Sequence, residues 1–154
     1  MFQLITLVVF IAILGFIFLG GQNHLSLDKQ NIMRLKMEVQ SSYVTLRNGQ
    51  QSYTLYTEKP LPVASWQADI QEYVNLPRGI QGMEWSYNNN ANGYYFCLSG
   101  NVNNPMVLDA LYSLQETSSV GFVILNEDCG DLTNFSVKPD INTNPMISAT
   151  FYLK

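Results

Sequence analysis

The chain has 154 residues, a formal net charge of −4 and a pI near 4.7, and only 13% of its residues are charged. An acidic chain with so few basic residues lacks the surface that holds nucleic acid or anionic lipid by charge, so we expect no nucleic-acid partner. Its length accommodates one membrane-spanning segment and a single domain with a modest core.

The first segment, Phe2–Leu19, is an uncharged apolar run, and the first charged residue of the chain is Asp28. A helix needs about 20 mostly apolar residues to cross a hydrocarbon core, where it satisfies its own backbone hydrogen bonds. The run therefore predicts a membrane-spanning helix. A secretory signal peptide fits less well, because no basic residue precedes the run and Gly20-Gly21-Gln22 is a weak cleavage site.

Three glycines follow or interrupt this run: Gly15, Gly20 and Gly21. Each glycine costs about 1 kcal/mol relative to alanine inside a helix. We therefore expect regular helix to be lost somewhere between Gly15 and His24. His24 is the single histidine of the chain, and it is expected to be solvated rather than to bind a metal.

Helical periodicity then resumes, with apolar residues at steps of three, four and seven that lie on one side of a helix: Leu25, Ile32, Leu35, Val39, Tyr43 and Leu46. Asn48-Gly49 predicts the end of this helix. The two segments together predict one long helix from Phe2 to about Arg47. Its first half is apolar all round and its second half is amphipathic.

The next residues predict a loop over Gln50–Ala64 and a short helix capped by Ser65 and ended by Pro77. Its apolar side would carry Trp66, Ile70 and either Tyr73 or Val74. The following segment predicts a hairpin, with the asparagine-rich stretch Asn88–Gly93 as its turn.

A third helix is predicted to begin at Asn104-Pro105, because asparagine caps a helix and proline fits its first turn. Its apolar residues are Val107, Leu108, Leu111 and Leu114. The segment Asn126–Pro145 predicts a loop. The strands predicted for this half of the chain are Gly82–Tyr87, Tyr94–Ser99, Val120–Leu125 and Ile147–Leu153.

The two cysteines, Cys97 and Cys129, have no neighbouring histidine or cysteine, so they indicate a disulfide more readily than a metal site. A disulfide places the domain outside the cytoplasm. The basic residues Lys29, Arg34 and Lys36 follow the apolar run, and the positive-inside rule applied to them favours the cytoplasm instead. The sequence leaves both topologies open at this point.

No pattern of catalytic, nucleotide-binding or metalloprotease residues occurs, so we expect neither an enzyme nor a cofactor. Glu127, Asp128 and Asp131 surround Cys129 and, with Asp140 further on, have oxygen ligands for a hard cation. A solvated acidic loop is the preferred interpretation. The many aromatic residues are expected to pack in the sheet, with a glycan-binding surface at the asparagine-rich turn as the alternative.

The order Phe-x-Leu-Ile-x-Leu-Val-Val-x-Ile-Ala-Ile-Leu-Gly, from Phe2 to Gly15, resembles the start of mature type IV pilins and pseudopilins. The resemblance implies that a prepilin peptidase has removed a short basic leader. Thr6, or Ile5 if Met1 is the mature terminus, stands where the family usually has a glutamate. It cannot pair with the amino terminus of a neighbouring subunit as a carboxylate would.

The layout is most similar to that of type IVb pilins and their minor subunits. It implies an α+β fold in which a long N-terminal helix packs on a mainly antiparallel sheet of about four strands, with extra short helices. Residues 1–24 would form the spanning and filament-core half of the helix, and residues 25–154 the head domain. The disulfide between Cys97 and Cys129 resembles the one that bounds the C-terminal region in that family.

The function implied by the resemblance is that of a structural subunit of an extracellular type IV pilus-like filament. The subunit would wait in the bacterial inner membrane and then assemble with copies of itself or with other pilins, through an assembly platform. The residues expected to pack in the filament core are Phe2, Leu4, Thr6, Leu7, Val8, Phe10, Ile11, Ile13, Leu14 and Phe16. The alternative is a singly anchored exported binding or adhesion domain that does not polymerise.

Overall fold

A computed structural model describes residues 27–117 and 123–153, and the residues from Asn31 onward belong to one structural unit. The helices are α1 (Leu27–Thr57), α2 (Trp66–Gln71), α3 (Pro105–Glu116) and a short 3₁₀ helix (Ile141–Thr143). The strands are β1 (Glu84–Asn90), β2 (Gly93–Asn101), β3 (Val123–Asn126) and β4 (Met146–Tyr152). They form one antiparallel sheet in the order β1-β2-β4-β3. The predicted α+β class and four-stranded antiparallel sheet are confirmed, and so is a long helix before the sheet; the predicted apolar first half of that helix lies outside the described residues.

One side of α1 packs on the sheet, as the apolar periodicity predicts. Leu35, Val39, Tyr43 and Leu46 are buried, whereas Leu25 lies outside the described residues. The Tyr43 ring stacks on Phe151 of β4, with the ring centroids 4.7 Å apart. Aromatic pairs at this distance add to the free energy of apolar burial, so the contact fixes the helix against the middle of the sheet.

The predicted end of α1 at Asn48-Gly49 is wrong, because the helix continues to Thr57. Gly49 serves packing instead: a Cβ atom at this position would lie 2.7 Å from methyl carbons of both Ile70 and Val74. The glycine therefore lets α2 and the residues after it approach the helix backbone closely. The helix ends where Glu58 adopts a left-handed conformation with φ of 55°, which its residue type does not reveal.

The short helix α2 is confirmed, but both of its predicted boundaries need correction. Ser65 precedes it without capping a backbone N–H, because its hydroxyl donates to the Asp69 carboxylate at 2.6 Å. The helix ends at Gln71, well before Pro77. Its buried residues are Trp66 and Ile70, as predicted.

The hairpin is confirmed, but its asparagines are placed differently. Asn88–Asn90 belong to β1 rather than to the turn, and Asn90 pairs with Gly93, so that Ala91 and Asn92 alone connect the strands. The predicted strand start at Gly82 is also early. Consecutive asparagines are depleted in strands in general, and here cross-strand pairing with β2 outweighs that preference.

The helix α3 begins as predicted: the Asn104 side chain accepts a hydrogen bond from the Met106 N–H at 2.9 Å, and Pro105 is the first helical residue. Its predicted apolar residues are buried. The third strand is described from Val123, and residues 118–122 lie outside the described part of the chain. In β4 the polar residues Ser148 and Thr150 are only 2% and 1% exposed, so both sides of this strand are covered.

Candidate assembly surface

The side of α1 that faces away from the sheet carries four exposed apolar residues. Met33 is 53% exposed, Met37 56%, Val44 43% and Leu55 77%. Their spacings of four, seven and eleven residues correspond to about one, two and three turns of an α-helix. The four side chains therefore lie along one line of the helix, which we call the α1 stripe.

The exposed residues between the members of the α1 stripe on that side are Ser41, Asn48 and Gln51, and Arg34 and Arg47 border it. From Met33 to Leu55 the helix rises by about 33 Å. Exposed apolar residues that occur singly are ordinary on protein surfaces, whereas an aligned set is typical of an interaction surface. A line of apolar side chains at helical spacing suits packing against another helix, and methionine adapts to irregular partners.

Lys36 holds α1 in its orientation beside α3. Its ammonium group donates to the Ser113 carbonyl at 3.2 Å, to the Ser113 hydroxyl at 3.1 Å and to the Thr117 hydroxyl. A cation at the C-terminal end of a helix also interacts favourably with the helix dipole. These contacts limit rotation of α1 about its own axis, so the α1 stripe stays on the outer side of the head.

Cys97 of β2 and Cys129 lie within bonding distance, with their sulfur atoms 2.06 Å and their Cα atoms 5.9 Å apart. The predicted pairing of the two cysteines is confirmed, because their sulfur atoms lie at the distance of a disulfide bond. The segment that follows β3, residues 127–131, thereby lies over the polar side of β4. Three hydrogen bonds join the segment to β4 there: Ser148 donates to the Glu127 carbonyl, Gly130 N–H to Thr150, and Tyr152 to the Gly130 carbonyl.

Gly130 is required by the path of this segment. Its φ of 82° is in the region that L side chains rarely adopt, and a Cβ atom would lie 2.5 Å from the Tyr95 hydroxyl oxygen. Its carbonyl also accepts a hydrogen bond of 2.8 Å from the Asn90 side chain. Residues 127–131, which we call the disulfide segment, therefore contact the end of the hairpin through Gly130.

In the predicted acidic loop, the Asp131 side chain forms hydrogen bonds with neighbouring residues of the same loop. The Asp131 carboxylate accepts hydrogen bonds from the Thr133 N–H and hydroxyl, each at 3.0 Å, and from the Asn126 side chain at 2.7 Å. The bonds from Thr133 lower the pKa of Asp131 below its usual value, because they favour the charged form. Within residues 27–117 and 123–153, no three histidine, cysteine or acidic residues are grouped so as to hold a metal ion.

A cleft of about 270 Å³ lies where β1 begins, beside α2. It is lined by Trp66, Gln67, Leu76, Pro77, Gly79, Glu84 and Trp85. We call it the two-tryptophan cleft. The Trp85 indole N–H is buried and has no hydrogen-bond acceptor in the described part of the chain. A buried polar group in that condition costs about 1–3 kcal/mol, so its retention needs a reason.

The predicted filament-core residues lie outside the described residues: Phe2, Leu4, Thr6, Leu7, Val8, Phe10, Ile11, Ile13, Leu14 and Phe16. The same holds for Gly15, Gly20, Gly21 and His24. No helix within the described ranges is both long and apolar enough to cross a membrane. The α1 stripe and the two-tryptophan cleft were not predicted as sites. For the α1 stripe, the same 3.6-residue period that reveals the buried side would have revealed it.

Comparisons with protein-family models, with curated proteins and with solved structures found no match to this chain.

Proposed function

We propose that this protein is a structural subunit of an extracellular type IV pilus-like filament, assembled through its long N-terminal helix. The observation that supports the proposal most directly is the α1 stripe, which leaves an apolar side of α1 without a partner in the head. In the chain, α1 follows the apolar run Phe2–Leu19. An assembly that brings such helices side by side would bury both segments.

The free energy of burying the α1 stripe can be compared with the cost of association, and the comparison indicates how much the apolar run Phe2–Leu19 must contribute. Full burial of a valine, leucine or methionine side chain contributes about 1.5–3 kcal/mol. Four side chains that are already roughly half covered would therefore contribute about 3–6 kcal/mol. Association costs about 4–15 kcal/mol in lost freedom, so the α1 stripe alone would be marginal. In the proposal the apolar run supplies the remainder, when it exchanges lipid for neighbouring helices.

In this proposal the subunit waits in the bacterial inner membrane, a prepilin peptidase matures it and a separate assembly platform moves it into the filament. Its partners are copies of itself or other pilins. The subunit needs no catalytic residue for this role, because the assembly machinery performs the work. The disulfide between Cys97 and Cys129 suits a domain that works outside the cytoplasm.

The test places two positive charges on the α1 stripe with Met37→Lys and Val44→Lys together. Both positions are exposed in the head, so the free energy of unfolding should change by less than about 1 kcal/mol. Filaments counted by electron microscopy should be lost, because lysine ammonium groups would be buried between helices. The matched control is Glu38→Lys, on the same helix at an exposed position off the stripe, and it should leave filaments unchanged.

Normal filaments from the double variant would refute a packing role for the α1 stripe. Loss of filaments in the control as well would show that charge on any side of α1 is harmful, and the stripe would carry no special role.

The second candidate is a singly anchored exported binding domain that does not polymerise, and the two-tryptophan cleft is the observation that favours it. Replacing Phe2–Leu19 by an unrelated membrane-spanning helix distinguishes the two. A tethered domain should keep its surface display and binding, whereas a filament subunit should lose assembly.

A further inference from the structure

We propose that Met33 and Met37 form an oxidation site through which a peroxide blocks assembly on the α1 stripe. This proposal rests on the proposed function, because its consequence is that oxidised subunits do not enter the filament. The site itself belongs to the head, so its chemistry can be measured without filaments.

The two methionines of the α1 stripe differ from the others of the head in where they lie. Met33 is 53% exposed and Met37 56%, one helical turn apart on the same side of α1. Met83 is 1% exposed in the core, and Met106 is partly buried against it. Met146, at the start of β4, is 51% exposed but lies outside the stripe. A small oxidant in solution therefore reaches Met33, Met37 and Met146 while the head is folded.

The reaction is the oxidation of a thioether by hydrogen peroxide. The sulfur lone pair attacks one oxygen of the peroxide, so that an S–O bond forms and the O–O bond breaks. The sulfur loses two electrons and becomes a sulfoxide, and the second oxygen leaves as water after it takes the proton of the first. Methionine sulfoxide reductases restore the thioether, so the change is reversible.

A sulfoxide alters the property of the α1 stripe that assembly uses. It converts a flexible apolar side chain into a polar one, and its oxygen accepts hydrogen bonds. Between packed apolar helices that oxygen would be buried without a donor, which disfavours association. In the free head both side chains are more than half exposed, so water satisfies the oxygen and the fold should be kept.

Assembly should in turn protect the two methionines, because a neighbouring helix would cover the α1 stripe. The free subunit is therefore the form that the oxidant reaches, whereas subunits already in a filament should keep their thioethers. The site thus makes the entry of new subunits sensitive to peroxide and leaves the finished filament intact.

The first measurement uses the full-length protein in detergent, treated with hydrogen peroxide and digested for mass spectrometry. We expect sulfoxide to form at Met33, Met37 and Met146 at least about tenfold faster than at Met83. The melting temperature of the oxidised protein should fall by less than about 3 °C, because the oxidised side chains are exposed.

The second measurement compares strains that differ in one or two methionines and receive the same dose of peroxide. Filaments are counted by electron microscopy, and each count is divided by that of the same strain without peroxide. The wild type should lose filaments at least about fivefold, and Met33→Leu with Met37→Leu less than about twofold, because leucine has no sulfur. The matched control is Met146→Leu, a similarly exposed methionine outside the stripe, and it should lose as much as the wild type.

A third measurement imitates the sulfoxides without any oxidant. Met33→Gln with Met37→Gln places two neutral polar side chains of similar length on the α1 stripe. The untreated filament count should fall at least about fivefold, because buried amides would lack partners. Met146→Gln should leave the count unchanged.

Oxidation of Met33 and Met37 no faster than that of Met83 would overturn the proposal. Equal sensitivity of the wild type and the double leucine variant, protection by Met146→Leu, or a wild-type count from the double glutamine variant would also overturn it. Each of these results leaves the proposed function standing. Absence of filaments from every strain, even without peroxide, would instead refute the proposed function and this proposal with it.

Discussion

The two faces of the sheet are covered in different ways. The helix face, against α1 and α3, holds large apolar side chains, among them Phe96, Leu98 and Phe151, in one extended core. The loop face, under residues 127–131, holds a small group of Tyr95, Cys97, Ile124 and Tyr152. Consecutive residues of β4 therefore lie in two different environments. Phe151 packs against the Tyr43 ring on the helix face, and Thr150 accepts a hydrogen bond from the Gly130 N–H on the loop face.

The difference shows two solutions to the same problem of covering a sheet. Apolar burial on the helix face is non-directional and grows with area, so it tolerates small shifts of α1. The loop face has too little apolar area for that, and one disulfide with directional hydrogen bonds holds its cover in place. Damage to the helix face should lower the stability of the whole head, whereas damage to the loop face should first release the segment.

The largest effect is expected for Phe151→Ala on the helix face. Phe151 is 1% exposed and contacts the Tyr43 and Trp85 rings at centroid distances of 4.7 and 5.6 Å. Such a truncation typically costs about 3–5 kcal/mol of the free energy of unfolding. Urea unfolding followed by circular dichroism would measure it. Tyr152→Phe, the neighbouring change on the loop face, is the control and should cost about 1 kcal/mol.

The next effect is expected for replacing Cys97 and Cys129 together by serine. The two residues are 32 positions apart, and in the chain-entropy model a loop of that length contributes about 3–4 kcal/mol. Melting temperature should fall, and limited proteolysis should cut first within residues 126–145, before the rest of the head. Cleavage that starts in α3 instead would show that the bond supports the whole domain rather than the loop face.

A smaller effect is expected for Gly49→Ala, which tests the close approach of α1 and the residues after α2. Alanine gains about 1 kcal/mol of helix preference, but overpacking typically costs about 1–3 kcal/mol. Because the new Cβ would lie 2.7 Å from Ile70 and Val74, we expect a net loss. Adding Val74→Ala should recover part of the loss in thermal unfolding. If Gly49→Ala stabilises the protein, the packing role of this glycine is contradicted.

The smallest effect concerns pH at the loop face. The pKa of Asp131 is lower in the folded protein than its usual value of 3.8, so its contribution is complete above that value and is lost as pH falls through the folded pKa. Amide hydrogen exchange at Thr133 should therefore speed up below about pH 4, relative to the helix face. Asp131→Asn should remove that pH dependence, and an unchanged profile would contradict the assignment.

Much of the fold followed from local patterns. Asn104-Pro105 predicted the start of α3, and the apolar period predicted the buried side of α1, because capping and periodicity act over a few residues. The predicted end of α1 at Gly49 was wrong for the opposite reason, because the residues that require a glycine there, Ile70 and Val74, are distant in sequence. The burial of Ser148 and Thr150 was likewise invisible, because a polar strand residue becomes buried only once the disulfide segment covers it.

The two candidate sites also differ in how far the sequence could have predicted them. The members of the α1 stripe have a period that the sequence shows, and the structure adds the extent of their exposure, which is 53% for Met33 and 43% for Val44. The two-tryptophan cleft joins residues of α2, the following loop and β1, and no spacing in the sequence predicts that juxtaposition.

The proposed interface between copies of the chain through the α1 stripe is tested most directly by cross-linking. A Val44→Cys variant is treated in native membranes and filaments with a short bismaleimide, and its products are separated by denaturing electrophoresis. We expect a cross-linked dimer, because each chain of the variant has one free thiol, whereas Glu38→Cys, exposed on another side of the same helix, should give mostly monomer. Monomer alone from Val44→Cys, in material where filaments are present, would contradict the claim.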